Sequence, residues 1–232
     1  MDYKILRPRQ NPRLQNYDYK TANHYFVTVC THHKQCVFGA AGEPNGIGQM
    51  AAQGITAIPE HFVIDTNVLI AASAADPTHP KDIDATPADP NLRRRVWQWL
   101  CNFQESPSRM VLDSANGIYD EYNHKLGFND FGIQVVIHKW STAAVDNVDV
   151  TYDEHGHGVL QPPLLTVIHD DADKKMVAAA LESHRQYGEG CVAFAGDTDW
   201  HDWEAALLSN NILLEPIIEE WSRQKHADKQ NR

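Results

Sequence analysis

Four acidic residues stand where an α/β chain can do phosphodiester chemistry: Asp65, Glu121, Asp173 and Asp197. Asp65 directly follows the short apolar run Phe62-Val63-Ile64, and Asp197 follows Cys191-Val192-Ala193-Phe194-Ala195 after a single glycine. Open α/β sheets build their sites beyond the carboxyl ends of such strands. Asp173 falls at a helix start, where unpaired backbone N–H groups favour a carboxylate. Glu121 is one position off the Ile118/Tyr122 stripe and so can border the core. Four carboxylates gathered at one end of a sheet repel one another, and burial makes this worse. Hard divalent cations, Mg²⁺ or Mn²⁺, relieve that repulsion through oxygen ligation. Such ions activate water and stabilise charge developing on a phosphodiester. Each acid alone has an ordinary explanation: a helix cap for Asp65 or Asp173, a solvated helix residue for Glu121, an Asx turn for Asp197. The joint pattern carries the argument. Lys174 and Lys175, beside Asp173, are candidate phosphate contacts, whereas Arg93-Arg94-Arg95 reads as a solvated helix face.

The elements that must position these residues alternate short apolar strands with amphipathic helices, which predicts an α/β fold with a mainly parallel central sheet and helices on both faces. Strands are expected at Phe62–Ile64, Arg109–Leu112, within Ile133–Ile137, at Cys191–Ala195 and at Ile212–Leu214. Helical spacing is carried by Val68–Ala72, by Leu92, Val96, Trp99, Leu100 and Phe103, by Ile118, Tyr119, Tyr122 and Leu126, and by Met176, Val177, Ala180 and Leu181. Pro216 suits the first turn of a closing helix. The Pro/Asp-rich stretch 75–90 is expected to be an exposed loop, and 142–163 is polar and without a clear assignment. Residues 225–232 are expected to form a frayed polar tail.

The chain of 232 residues is 42% hydrophobic, enough for one sizeable domain plus an appendage. No apolar run reaches the ~18–20 residues of a membrane span, and MDYKILRPRQ lacks the apolar core of a signal peptide. Four cysteines without framework spacing fit a reducing, cytoplasmic setting. The net charge of −11 divides into +2 over residues 1–62 (six Lys/Arg, four Asp/Glu) and −13 over the rest (14 and 27). So acidic a region does not hold nucleic acid by a broad basic face, and metal ions would have to supply positive charge.

From residue 62 to about 224 the chain resembles the PIN-domain nucleases. Phe62-Val63-Ile64-Asp65-Thr66-Asn67-Val68-Leu69-Ile70 is similar to their opening motif. Met110-Val111-Leu112-Asp113 with Ile118-Tyr119-Asp120-Glu121-Tyr122 is similar to the second, the segment from His169 to Ala180 to the third, and Gly196-Asp197-Thr198-Asp199-Trp200 to the fourth. The resemblance implies that Asp65, Glu121, Asp173 and Asp197 are metal ligands or orient water, that Thr66 and Asn67 buttress Asp65, and that Asp199 is a fifth acid. Among Asp170, Asp171 and Asp173, spacing to the alanine-rich helix favours Asp173. A metal-dependent endoribonuclease is implied, acting on RNA with Mg²⁺ or Mn²⁺, in the manner of the VapC-type toxin of a toxin–antitoxin pair. An antitoxin protein is then an expected partner, and a homodimer an assembly to consider.

Residues 1–61 resemble a different family. Asn16-Tyr17-Asp18-Tyr19, the run Tyr25 to Gly39 and Ile58-Pro59-Glu60-His61-Phe62 are similar to the start of REP-associated tyrosine transposases, which nick single-stranded DNA with a tyrosine and a His-hydrophobic-His metal pair. The resemblance stops before that pair, and His155-Gly156-His157 lies in a polar loop, so nicking chemistry is expected to be absent. Cys30, His32, His33 and Cys36 do not have the spacing of a usual zinc knuckle. Two alternatives stand beside the nuclease reading: a non-catalytic PIN-fold scaffold, and a DNA-binding accessory of a mobile element acting through the N-terminal segment.

Overall fold

The computed structural model describes residues 39–40, 43–44, 59–78 and 83–231. The chain divides into two compact units, Met1–Thr56 and Ala57–Arg232. Of the first, two short strands are described, β1 (Gly39–Ala40) and β2 (Glu43–Pro44), paired antiparallel. The expected Tyr25–Cys30 strand and the Cys30–Cys36 group lie outside the described residues.

The second unit is built on five parallel strands: β3 (His61–Ile64), β4 (Arg109–Asp113), β5 (Val145–Val148), β6 (Cys191–Phe194) and β7 (Leu213–Pro216). Their order across the sheet is β5-β4-β3-β6-β7. The chain thus starts at the centre, works outward to β5, then returns to the other flank of β3. That reversal puts a topological switch point between β3 and β6, where α/β sheets open a crevice beyond the strand ends. Phe62, Val63 and Ile64 of β3 and all four residues of β6 are buried. Consecutive burial, rather than alternation, means that helices cover both faces.

Eight helices are present among the described residues: α1 (Thr66–Ser73), α2 (Pro90–Glu105), α3 (Gly117–Lys125), α4 (Phe131–Ser141), α5 (Leu164–Val167), α6 (Lys174–Tyr187), α7 (Trp200–Ser209) and α8 (Glu219–Gln230). Local signals account for several ends. Asp89 caps α2 by accepting from the Asn91 N–H at 2.7 Å, with Pro90 at the first helical position. Gly188 closes α6 at φ 80°, a conformation glycine adopts without cost. The start of α3 is capped from further away: Asp113, fully buried, accepts from the Gly117 and Ile118 N–H groups at 2.9 and 2.7 Å. None of these helices is long and apolar enough to cross a membrane.

Four sequence expectations are corrected. Ile133–Ile137 is not a strand but the middle of α4. A short β-branched run cannot be assigned by periodicity, and packing decides: Gly132 comes so close to α1 that a Cβ there would meet Leu69 Cβ at 2.7 Å. The Gly132 N–H also donates to Ser73 Oγ at 2.9 Å. The third strand lies instead in the polar stretch, as β5, an edge strand whose Asp146 is held bidentately by Arg109 at 2.6 and 2.7 Å. Pro216 ends β7 rather than opening a helix, and α8 begins at Glu219.

Residues 225–230 are helical, not frayed, because α8 is clasped to α7. Arg223 bonds Glu204, His226 bonds Asp202 at 2.7 Å and the buried Ser222 meets His201 at 2.9 Å. Finally, the 75–90 loop is not wholly exposed. Ala85 is buried, and Arg93, expected in solvent, bonds the Ala85 and Pro87 carbonyls.

Candidate functional site

The switch point is where the acids gather. Asp65 leaves the end of β3 as the N-cap of α1, and its Oδ1 accepts from the Asn67 N–H at 3.2 Å. Its Oδ2 and the indole N–H of the fully buried Trp200 each lack a hydrogen bond of good geometry, although the indole stands close enough to Asp65 to work against the rise of its carboxyl. Burial, then the charge of Asp197, pushes the Asp65 carboxyl up to about 8, with Glu121 adding to the rise and the Asn67 N–H opposing it. Asp173 precedes α6 but its side chain makes no capping bond, so the simple helix-cap explanation does not apply. It is only 9% exposed, and burial, then the charges of Asp65 and Asp197, raise its carboxyl to about 9. Asp197 is half-buried and also raised, chiefly by burial; its Oδ1 accepts from the Asp199 N–H at 2.9 Å in an Asx turn. Asp170 and Asp171, the rival acids, are both exposed, and Asp171 pairs with Lys174 at 2.5 Å. Asp65, Asp173 and Asp197 therefore feel one another's charge from three separate segments of chain.

Glu121 and Asp199 are arranged differently. Glu121, on α3, accepts from the Thr66 hydroxyl and pairs with Lys175 Nζ at 2.5 Å. Asp199 pairs with Lys229 of α8, and His169 Nε2 stands 3.9 Å away on its other side. Each of these outer acids is ion-paired with a lysine; the three inner ones make no such pair, although Lys229 offsets part of the rise at Asp197. Lys174 and Lys175, expected as phosphate contacts, are instead committed to Asp171 and Glu121. Thr66 buttresses Glu121 rather than Asp65. Asn67 has two roles: its N–H holds Asp65, and its side-chain oxygen accepts from the Gly196 N–H at 2.7 Å. It thereby ties the ends of β3 and β6. Only glycine fits at 196, since a Cβ would lie 2.3 Å from Thr86 O and 2.6 Å from Asn67 Oδ1.

All-carboxylate donors suit a hard divalent cation, and a buried Oδ2 without a hydrogen bond of good geometry is an atom whose desolvation such an ion would offset. Yet among the described residues no group of three or more His, Cys, Asp or Glu side chains is drawn together as a ready ligand set. The chemistry of the donors fits a metal; their convergence is incomplete in this arrangement.

Lys229 was not anticipated at the site. Trp200 and the capping Asp113 stand in the segments 196–200 and 110–113 singled out in the sequence, but with no role assigned to either. No protein-family model, curated protein or solved structure matches the chain, so the site is read from its own geometry.

Proposed function

We propose that the second unit is a metal-dependent PIN-type nuclease that hydrolyses phosphodiester bonds, with RNA as substrate. The observation that carries the reading is the set Asp65, Asp173 and Asp197 at the sheet's switch point, two of them buried and one half-buried, all with carboxyls raised chiefly by burial, and with no hydrogen bond of good geometry to Asp65 Oδ2. A set of carboxylates that destabilises itself when ionised is poorly explained by packing and well explained by a cation. Asp65, Asp173 and Asp197 would hold Mg²⁺ or Mn²⁺, which supplies an ionised water and a counter-charge to the phosphodiester. Asn67 keeps Asp65 and the Gly196–Asp197 turn in register. Thr66 and Lys175 fix Glu121 at the rim. Cleavage leaves a 3′-hydroxyl and a 5′-phosphate. The preference for RNA and the toxin role with an antitoxin partner rest on the family resemblance. The incomplete convergence of the ligands favours a second reading, a PIN-fold scaffold that binds without cutting. Incubating the protein with mixed RNA and single-stranded DNA in Mn²⁺, Mg²⁺ or EDTA separates the two. Metal-dependent cleavage of RNA supports the nuclease, and intact RNA under all conditions supports the scaffold.

A further inference from the structure

Beside the acids lies a cleft of about 270 Å³ lined by Thr86, Gly196, Thr198, Trp221, Lys225, Asp228 and Lys229. Its floor is the Gly196–Thr198 turn that carries Asp197, and its far wall is α8. Three features set it apart from an ordinary surface groove. Trp221 supplies an aromatic surface next to solvent, half-buried against the core. Lys225 is exposed and has no ion pair among the described residues, in a unit whose other lysines near the site are committed to acids. Lys229 already spans from the cleft to Asp199, linking the wall to the acid cluster. Asp228 is the one acid in the lining, and Gln224 donates to it at 2.9 Å.

From this juxtaposition we infer that the cleft is a nucleotide subsite for single-stranded nucleic acid, in which a base stacks on Trp221 and the adjoining phosphate meets Lys225, the lining lysine without an ion pair among the described residues. The inference rests on the nuclease reading and deepens it by giving the substrate its form and its path, out of the acid cluster and along α8. Aromatic faces accept any base, and lysines track the backbone, which is the chemistry of single-strand binding without sequence readout. The small volume, under the usual range for pockets that enclose drug-sized ligands, suits one unit of a chain that continues outside the cleft. With a net charge of −13 over residues 63–232, the unit offers phosphates little non-specific attraction, so an exposed lysine beside an aromatic face counts for more.

The test is fluorescence anisotropy of a labelled, mixed-sequence single-stranded RNA with the full chain, in EDTA and at two low salt concentrations. Trp221→Ala is expected to weaken binding about 5- to 150-fold, the range for losing one base–aromatic stack, and Trp221→Phe to retain most of it. Lys225→Glu, on the surface and harmless to folding, should weaken binding and lower the salt slope by about 0.7. Binding by Trp221→Ala and Lys225→Glu within twofold of the parent, no binding by the parent, or a preference for duplex overturns the inference. The two failures are distinguishable: a parent that cleaves RNA in Mn²⁺ while these variants bind unchanged removes the subsite alone. Binding that depends on Trp221, without cleavage in any metal, removes the nuclease and keeps the subsite.

Discussion

The two ends of the central sheet treat charge in opposite ways. At the amino end, Asp146 is held bidentately by Arg109, and His61 stands 3.4 Å from both Asp146 and Glu189 while its ring stacks on Tyr187 at 4.7 Å. Asp146 and Glu189 there each have a cationic or hydrogen-bonding neighbour. At the carboxyl end, Asp65 and Asp173 are buried and Asp197 half-buried within reach of one another's charge, and the nearest lysines are ion-paired to Glu121, Asp171 and Asp199. The same strands connect both ends, so the difference lies in side-chain placement and not in fold. Stability is built where charges are matched. On the proposed reading, the unmatched charges at the carboxyl end are those a bound cation would complete.

The contrast breaks most visibly under substitution. Asp65→Asn or Asp173→Asn should lower Mn²⁺-dependent cleavage by at least about 100-fold, taking ligands to matter no less than their outer-shell supports. Without metal at pH 8 each should fold as well as the parent or better, by about 1–3 kcal/mol, since one pKa unit is worth ~1.4 kcal/mol and water and side-chain movement screen part of the repulsion. Cleavage is read on labelled RNA and stability by urea unfolding; unimpaired cleavage would show that these acids are not the site. Arg109→Ala at the other end should do the reverse, costing about 1–3 kcal/mol through a stranded, mostly buried Asp146, with cleavage per folded molecule unchanged.

The pH dependence is subtler and has a definite sign. The folded-state carboxyls of Asp65 and Asp173 are raised to about 8 and about 9 from 3.8. The folded state therefore holds protons that the unfolded state has released, and the stability this gives is full below pH ~4 and lost as pH rises through ~8–9. Metal-free protein should melt higher at pH 5 than at pH 9, and Asp65→Asn should flatten that slope. A melting temperature that rises from pH 5 to pH 9 without metal would contradict the repulsion.

What the sequence made legible follows from what each residue depends on. Asp65 and Asp197 were readable because a strand end is set by local apolar runs, and buried parallel strands such as β3 and β6 have few alternatives. The choice of Asp173 over Asp170 and Asp171 agrees with its being the buried member of the three. β5 was invisible because an edge strand of Val145-Asp146-Asn147-Val148 is polar, and its pairing is fixed by a non-local Arg109. α4 was misread because Gly132 against Leu69, not the β-branched run, determines the backbone there. Likewise the second half of α8, from Lys225 on, was taken for a tail because the helix's hold on α7 consists of pairs across the fold, His201–Ser222, Asp202–His226 and Glu204–Arg223, with no local apolar stripe to announce how far it runs. Lys229 and Trp221 came to the site through that same packing. The lysine pairings could not be foreseen either, since a lysine one turn from an acid has several partners within reach.

The most direct measurement is calorimetric titration of the metal-free protein with Mn²⁺ at pH 7, in two buffers of different ionisation enthalpy. Carboxyls raised to about 8 and about 9 are largely protonated at that pH and must release protons to become ligands, so binding should eject about one proton or more per site. The same titration of Asp65→Asn should show weaker binding and fewer protons released. Parent and variant with identical heats, or a parent that binds no Mn²⁺ at millimolar concentration, would contradict a metal site at the carboxyl end of the sheet.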